Sequence, residues 1–183
     1  NKLDLLIDDI IIIKELKKIP FKDMLLEKIL TKIREKICIL IVENENKISD
    51  FKLKLIIALG EQCFLNEYVY TLTKKENICI NKIIKICNNG DLNDKNISIL
   101  SCYFPLYKLL NKIPSLKSFD SLNQNVKELI LLQISEPLEE ILLSKKIKKL
   151  GVIKNKISQK VKSQYEENPY PRWRYGNIYK EKK

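Results

Sequence analysis

At 183 residues the chain is long enough to bury one sizeable core, and 45% hydrophobic with 31% charged residues suits a folded globular protein rather than a disordered one. A formal net charge of +11 raises nucleic-acid binding, but all of the 34 basic residues except Arg34, Arg172 and Arg174 are lysines, whereas base readout and two-pronged phosphate contacts favour arginine. A Lys-, Ile- and Asn-rich, Gly-poor composition is what an AT-rich coding sequence produces, so the lysines read as solvated faces and nucleic acid is disfavoured as a partner.

From about Leu3 to Leu16 an apolar-rich stretch predicts a short helix, stopped near Pro20. From Phe21 to about Val42 apolar residues (Leu25, Leu26, Ile29, Leu30, Ile33, Ile37, Leu40, Ile41) recur at spacings of three and four, with Lys28, Lys32, Arg34, Glu35 and Lys36 on the other face. Residues 43–47 form a polar loop. Ser49 is placed as an N-cap for a helix that passes or bends at Gly60 and runs on towards Tyr70.

Thr73 and Glu76 have the spacing of a capping box, and the helix that they open should end at Asn88-Asn89-Gly90. The β-branched content of 78–86 leaves a strand open there, although the flanking caps favour helix. A further helix is expected over 92–103, broken at Pro105, then a loop around 114–120 and two helices at 124–134 and 136–146. Ser135 should cap the second of these, with Pro137 in its first turn. One more helix spans 157–165. Pro169 and Pro171 then force extended backbone. No fixed-period repeat is present. The expected architecture is all-α: an irregular multi-helix bundle over 1–152, then a helix and an extended aromatic, Pro-rich tail over 153–183.

Chemistry-bearing patterns are scarce. There is no histidine, the usual general base near neutral pH. The four glycines stand far apart, so neither a phosphate-cradling loop nor a GxGxxG turn can be built. Adjacent acids (Asp8-Asp9, Glu139-Glu140, Glu166-Glu167) point about 100° apart on a helix and read as solvated faces. The five cysteines form no CxxC and lie among Ile, Leu or Phe, as small buried hydrophobes in a reducing compartment. No apolar run approaches the ~20 residues of a membrane-spanning helix, and no secretory leader is visible, so a cytoplasmic location is expected. No catalytic, cofactor-binding or metal-ligating residue is assigned.

Two patches are candidate docking surfaces. Gln62, Asn66 and Tyr70 share a helical face at i, i+4 spacing, with Cys63 and Glu67 alongside; they form either a polar network between helices or a surface for a partner domain. The second patch carries Tyr165, Asn168, Tyr170, Arg172 and Trp173, where aromatic rings lie beside two of the three arginines. Arg stacking on such rings contributes roughly 0.5–2 kcal/mol per contact. That segment could strap onto the helical domain, strap onto a following domain, or stack on single-stranded nucleic acid.

Residues 158–173, Ser-Gln-Lys-Val-Lys-Ser-Gln-Tyr-Glu-Glu-Asn-Pro-Tyr-Pro-Arg-Trp, resemble the S-x-x-V-x-x-Q-Y-E-E-N-P-Y-P-R-W signature of a bacterial methyltransferase family. In that family tetratricopeptide repeats are commonly followed by a helical linker and a class I S-adenosylmethionine-dependent catalytic domain. Residues 58–69 are similar to its ALAxQCFxNEYV stretch, and Pro105-Leu106 and Gln133–Glu140 to its PL and QxxEPxEE stretches. The resemblance covers roughly residues 50 to 175. It implies a non-catalytic linker region, S-adenosylmethionine as cofactor of the full-length protein only, and a downstream methyltransferase domain as partner in cis, with a protein substrate or partner in addition. The family's Gly-rich methyl-donor loop and its repeats are not found in these residues, and the two ends look cut from a longer chain. A stand-alone helical protein–protein interaction module is the alternative.

Overall fold

The computed structural model describes residues 10–18, 20–21, 23–43, 49–148, 151 and 153–167. Among them the regular elements are all helical and no strand is present, in agreement with the expected all-α class. The chain divides into two compact units, Asn1–Lys146 and Ile147–Lys183.

In the first unit, α1 (Ile10–Leu16) precedes α2 (Met24–Glu43), where Leu30, Ile33, Ile37, Cys38 and Ile41 form the buried stripe. Two expectations for α2 need correction. Leu25 and Leu40 are exposed. Arg34, assigned to the solvated face, is buried beside Ile33 and Ile37. At 100° per residue position 34 lies between positions 41 and 38, both buried, so its charge, not its place in the period, suggested solvent.

Helix α3 (Asp50–Leu65) is the axis of the unit, with residues 55 to 66 all buried. It packs against α1, α2, α5 (Asp94–Ser101) and α6 (Gln124–Ile130). Its middle, residues 55–59, is apolar on every side, as an interior helix is. Ser49 caps it, its hydroxyl accepting from Lys52 N at 3.4 Å. The helix stops at Leu65 instead of reaching Tyr70, because Asn66 ends it and Glu67 and Tyr68 turn through positive φ (57° and 58°).

The strand alternative at 78–86 is overturned: α4 (Lys74–Asn88) is a helix with Glu76, Ile80, Ile83 and Cys87 buried. Its capping box forms as expected, Thr73 Oγ1 accepting from Glu76 N and Glu76 Oε2 from Thr73 N. At its other end Gly90 takes φ 101°, while the amides of Gly90 and Asp91 bond back to Cys87 and Ile86. This is the Schellman ending that the glycine makes available.

Short 3₁₀ turns at Leu106–Leu109 and Pro114–Ser118 occupy stretches expected to be a break and a loop. The two helices expected at 124–134 and 136–146 are instead one continuous run, in which α6 passes through a π turn at Leu131–Ser135 into α7 (Glu136–Ser144). Ser135 has helical φ and ψ and makes no side-chain cap. In the second unit α8 (Lys156–Glu167) starts at Asn155, whose Oδ1 accepts from the amides of Ile157 and Ser158.

Candidate functional site

A π turn accommodates an extra residue in a helix and shifts the side chains beyond it. Here it carries Gln133, fully buried, into the space between α3, α5 and the first 3₁₀ turn. Gln133 Nε2 donates to Gly60 O at 2.9 Å and to Ser101 O at 3.3 Å. Its Oε1 accepts from Leu106 N and from the Tyr68 hydroxyl, each at 3.3 Å. A carboxamide has two N–H donors and two acceptor lone pairs, and all four are used.

A Cβ on residue 60 would collide with Ser101 Oγ, so glycine lets α3 and α5 pack closely here without displacing the Ser101 side chain. Beyond the end of α3, Tyr68 N bonds to Cys63 O at 2.8 Å and to Asn66 Oδ1 at 3.1 Å. These bonds, with the hydroxyl on Gln133, hold a left-handed conformation that ordinary side chains rarely adopt.

The residues proposed from sequence as a docking patch separate on this frame. Gln62 and Asn66 are interior, Asn66 as the residue that ends α3, and Glu67 is half-buried in the left-handed turn. Tyr70 lies beyond the helix and is buried, and burial pushes its hydroxyl above the ordinary tyrosine range. In the second unit Tyr165 is exposed on α8, in line with Ile157 and Val161 at four-residue spacing. Asn168, Tyr170, Arg172 and Trp173 lie outside the described residues.

Two polar centres were missed by sequence reasoning: Gln133 as a hub, and a cluster around Arg34. Arg34 Nε donates to Glu76 Oε1 at 3.1 Å and Nη2 to Thr71 O at 2.6 Å. The Tyr103 hydroxyl donates to the same Oε1 at 2.8 Å. The guanidinium lies 4.4 Å from the Tyr103 ring centre and 5.8 Å from that of Tyr70. Burial opposes the Arg34 charge, but its neighbours, Tyr103 first, outweigh that and hold it protonated. Burial, Cys38 and the bond to Glu76 push the Tyr103 hydroxyl far up. An arginine alone among lysines, at a core position of the period, was the available signal.

A second ion pair joins half-buried Lys17, just after α1, to buried Glu61 at 3.2 Å. Cysteines 38, 63, 87 and 102 are buried and Cys79 is half-buried; all are free thiols. Among the described residues no group of Cys, Asp and Glu is arranged to hold a metal ion, and no helix is long and apolar enough to cross a membrane. A groove of about 600 Å³, lined by Ile41, Leu53, Asp91, Asp94, Phe119 and Asp120 among others, lies apart from both polar centres. The Gln133 hub can do one thing chemically: lock the segments around Gly60, Tyr68, Leu106 and itself into a single geometry. No protein-family model, curated protein or solved structure matches the chain.

Proposed function

We propose that this chain is the non-catalytic helical region of an S-adenosylmethionine-dependent methyltransferase, supporting and docking onto a catalytic domain that follows it in the same polypeptide. The observation that carries this reading is the Gln133 hub. The three shorter stretches on which the family resemblance rests are far apart in the chain, yet Gly60 and Tyr68 of the first, Leu106 of the second and Gln133 of the third meet on one carboxamide. Residues that resemble a family pattern for a shared structural reason should converge in this way. Chance matches should not.

On this reading the long signature at 158–173 is the junction. Helix α8, which carries its first part, presents Ile157, Val161 and Tyr165, which are 73%, 45% and 68% exposed, as a ready apolar stripe for the catalytic domain. S-adenosylmethionine binds downstream, the protein works in the cytoplasm, and any protein substrate meets the catalytic domain. The test is the reading frame beyond Lys183, followed by calorimetry. A strand and a Gly-rich, acid-containing loop within about fifty residues, with S-adenosylmethionine bound by the longer chain and not by residues 1–183, is the expected result. A longer chain that lacks such a loop and does not bind the cofactor would refute the proposal. The same α8 stripe favours the second reading, a stand-alone helical interaction module, which a stop codon directly after Lys183 would select.

A further inference from the structure

α2 and α4 are neighbours in the fold, and the buried stripe of each is repetitive. α2 offers Leu30, Ile33, Ile37 and Ile41, and α4 offers Ile80, Ile83 and Cys87. Sliding one helix along the other by a turn, about 5.4 Å, would set aliphatic against aliphatic again. Apolar burial therefore discriminates weakly between alignments, since it is non-directional and follows area alone.

We infer that Arg34, Glu76 and Tyr103 form a register device that selects one axial alignment of α2 against α4. The geometry is selective because Glu76 cannot move to follow Arg34. One carboxylate oxygen, Oε2, is committed to Thr73 N at 2.7 Å in the capping box. The other, Oε1, takes Arg34 Nε at 3.1 Å and the Tyr103 hydroxyl at 2.8 Å. Arg34 is pinned independently by Nη2 on Thr71 O at 2.6 Å and by the Tyr103 ring at 4.4 Å.

A one-turn slip would break every Arg34 contact while leaving the guanidinium, now 2% exposed, in an apolar seam beside a Glu76 that is 0% exposed. An uncompensated buried charge is among the costliest errors available to a fold, whereas the net gain from a correctly made buried pair is small. The cluster thus acts chiefly by penalising wrong alignments, as a lone polar residue does in an apolar helical seam. Tyr103, which follows α5, brings a third helix into the same decision.

The test is the full chain carrying Arg34→Met with Glu76→Gln, which removes both charges and leaves an oxygen to accept from Thr73 N. The expected result is wild-type helix content by circular dichroism together with split or broadened amide resonances over 24–43 and 74–88, where the unaltered protein gives one set. One sharp set with the wild-type nuclear Overhauser contacts between these helices overturns the inference, whether or not the denaturation midpoint has moved. Should the double variant not fold, Tyr103→Phe decides. It removes one of the bonds to Oε1 and a long contact to Arg34 O at 3.5 Å, and is expected to introduce millisecond exchange in α2 and α4 amides; flat relaxation-dispersion profiles there overturn the inference.

Discussion

Gln133 Nε2 reaches the carbonyl of Gly60 across 2.9 Å although the two residues are 73 positions apart in the chain. A helical carbonyl of α3 is thereby cross-linked to a side chain that is aimed by a π turn. Gln133 sits where a helix takes an extra residue, and Gly60 lies where a Cβ would strike the Ser101 side chain.

Gln133→Ala should destabilise the protein by about 2–4 kcal/mol, because it leaves a cavity and strips partners from the Leu106 amide and from two carbonyls. Gln133→Glu should cost at least as much, since a carboxylate cannot donate to Gly60 or Ser101 and would be buried charged. Urea unfolding followed by circular dichroism measures both variants. A loss below about 0.5 kcal/mol for Gln133→Ala would remove the hub from the account of the fold.

Gly60→Ala should destabilise by about 1–3 kcal/mol, the overpacking cost against Ser101 exceeding the gain in helix propensity. Ser101→Ala should return part of that loss, because it removes the Oγ that the new methyl would strike. A double-mutant cycle on these two positions is expected to show favourable coupling of about 0.5 kcal/mol or more; simple additivity would contradict the close approach.

At Glu67, φ of 57° disfavours side chains branched at Cβ most strongly. Glu67→Val should therefore be less stable than Glu67→Gly by about 1 kcal/mol or more, the reverse of what a helix or strand position would show. Thermal denaturation of the pair gives the ordering directly.

Burial pushes the Cys38 thiol up to about 12 and the Cys87 thiol up to about 11, from an ordinary value of 9.0. The folded state therefore holds protons that the unfolded chain releases above pH 9. The stabilisation is complete below that value and is lost as pH climbs through the folded values. Unfolding free energy should fall by about 1.4 kcal/mol per pH unit for each such thiol between pH 9 and 11. Cys38→Ala should flatten this slope. The same thiols should resist Ellman's reagent at pH 8 until the protein is unfolded.

What was legible in the sequence was local. Thr73 and Glu76 announce their capping box because both partners lie within one turn, and Gly90 marks its helix end because the left-handed conformation selects for it. Ser49 is legible for the same reason. What escaped depends on residues distant in the chain. Arg34 was placed in solvent because charge is an average guide to exposure, and its acceptors, Glu76 and Thr71, belong to a different part of the sequence. The π turn has no local signature, so residues 124–134 and 136–146 read as two helices, the second capped by Ser135, instead of one bulged run. Of the candidate site, Gln133 stood within a recognised stretch, but only the Gly60 approach shows why an amide is required there.

The distance in sequence between Gly60 and Gln133 also sets an order of events during synthesis. When the Gly60 carbonyl leaves the ribosome its partner has yet to be translated, and at about 5–20 residues per second the 73 intervening steps take roughly 4–15 s. Through that interval α3, whose residues 55 to 66 are all covered in the finished protein, has no complete surface to lie against. The nascent chain thus carries its most apolar helix incompletely covered for seconds. Demand for chaperone holding in the cell should therefore track how fast the chain between these two residues emerges, and a delay in that window should lower the yield of folded protein more than the same delay after Gln133 has emerged.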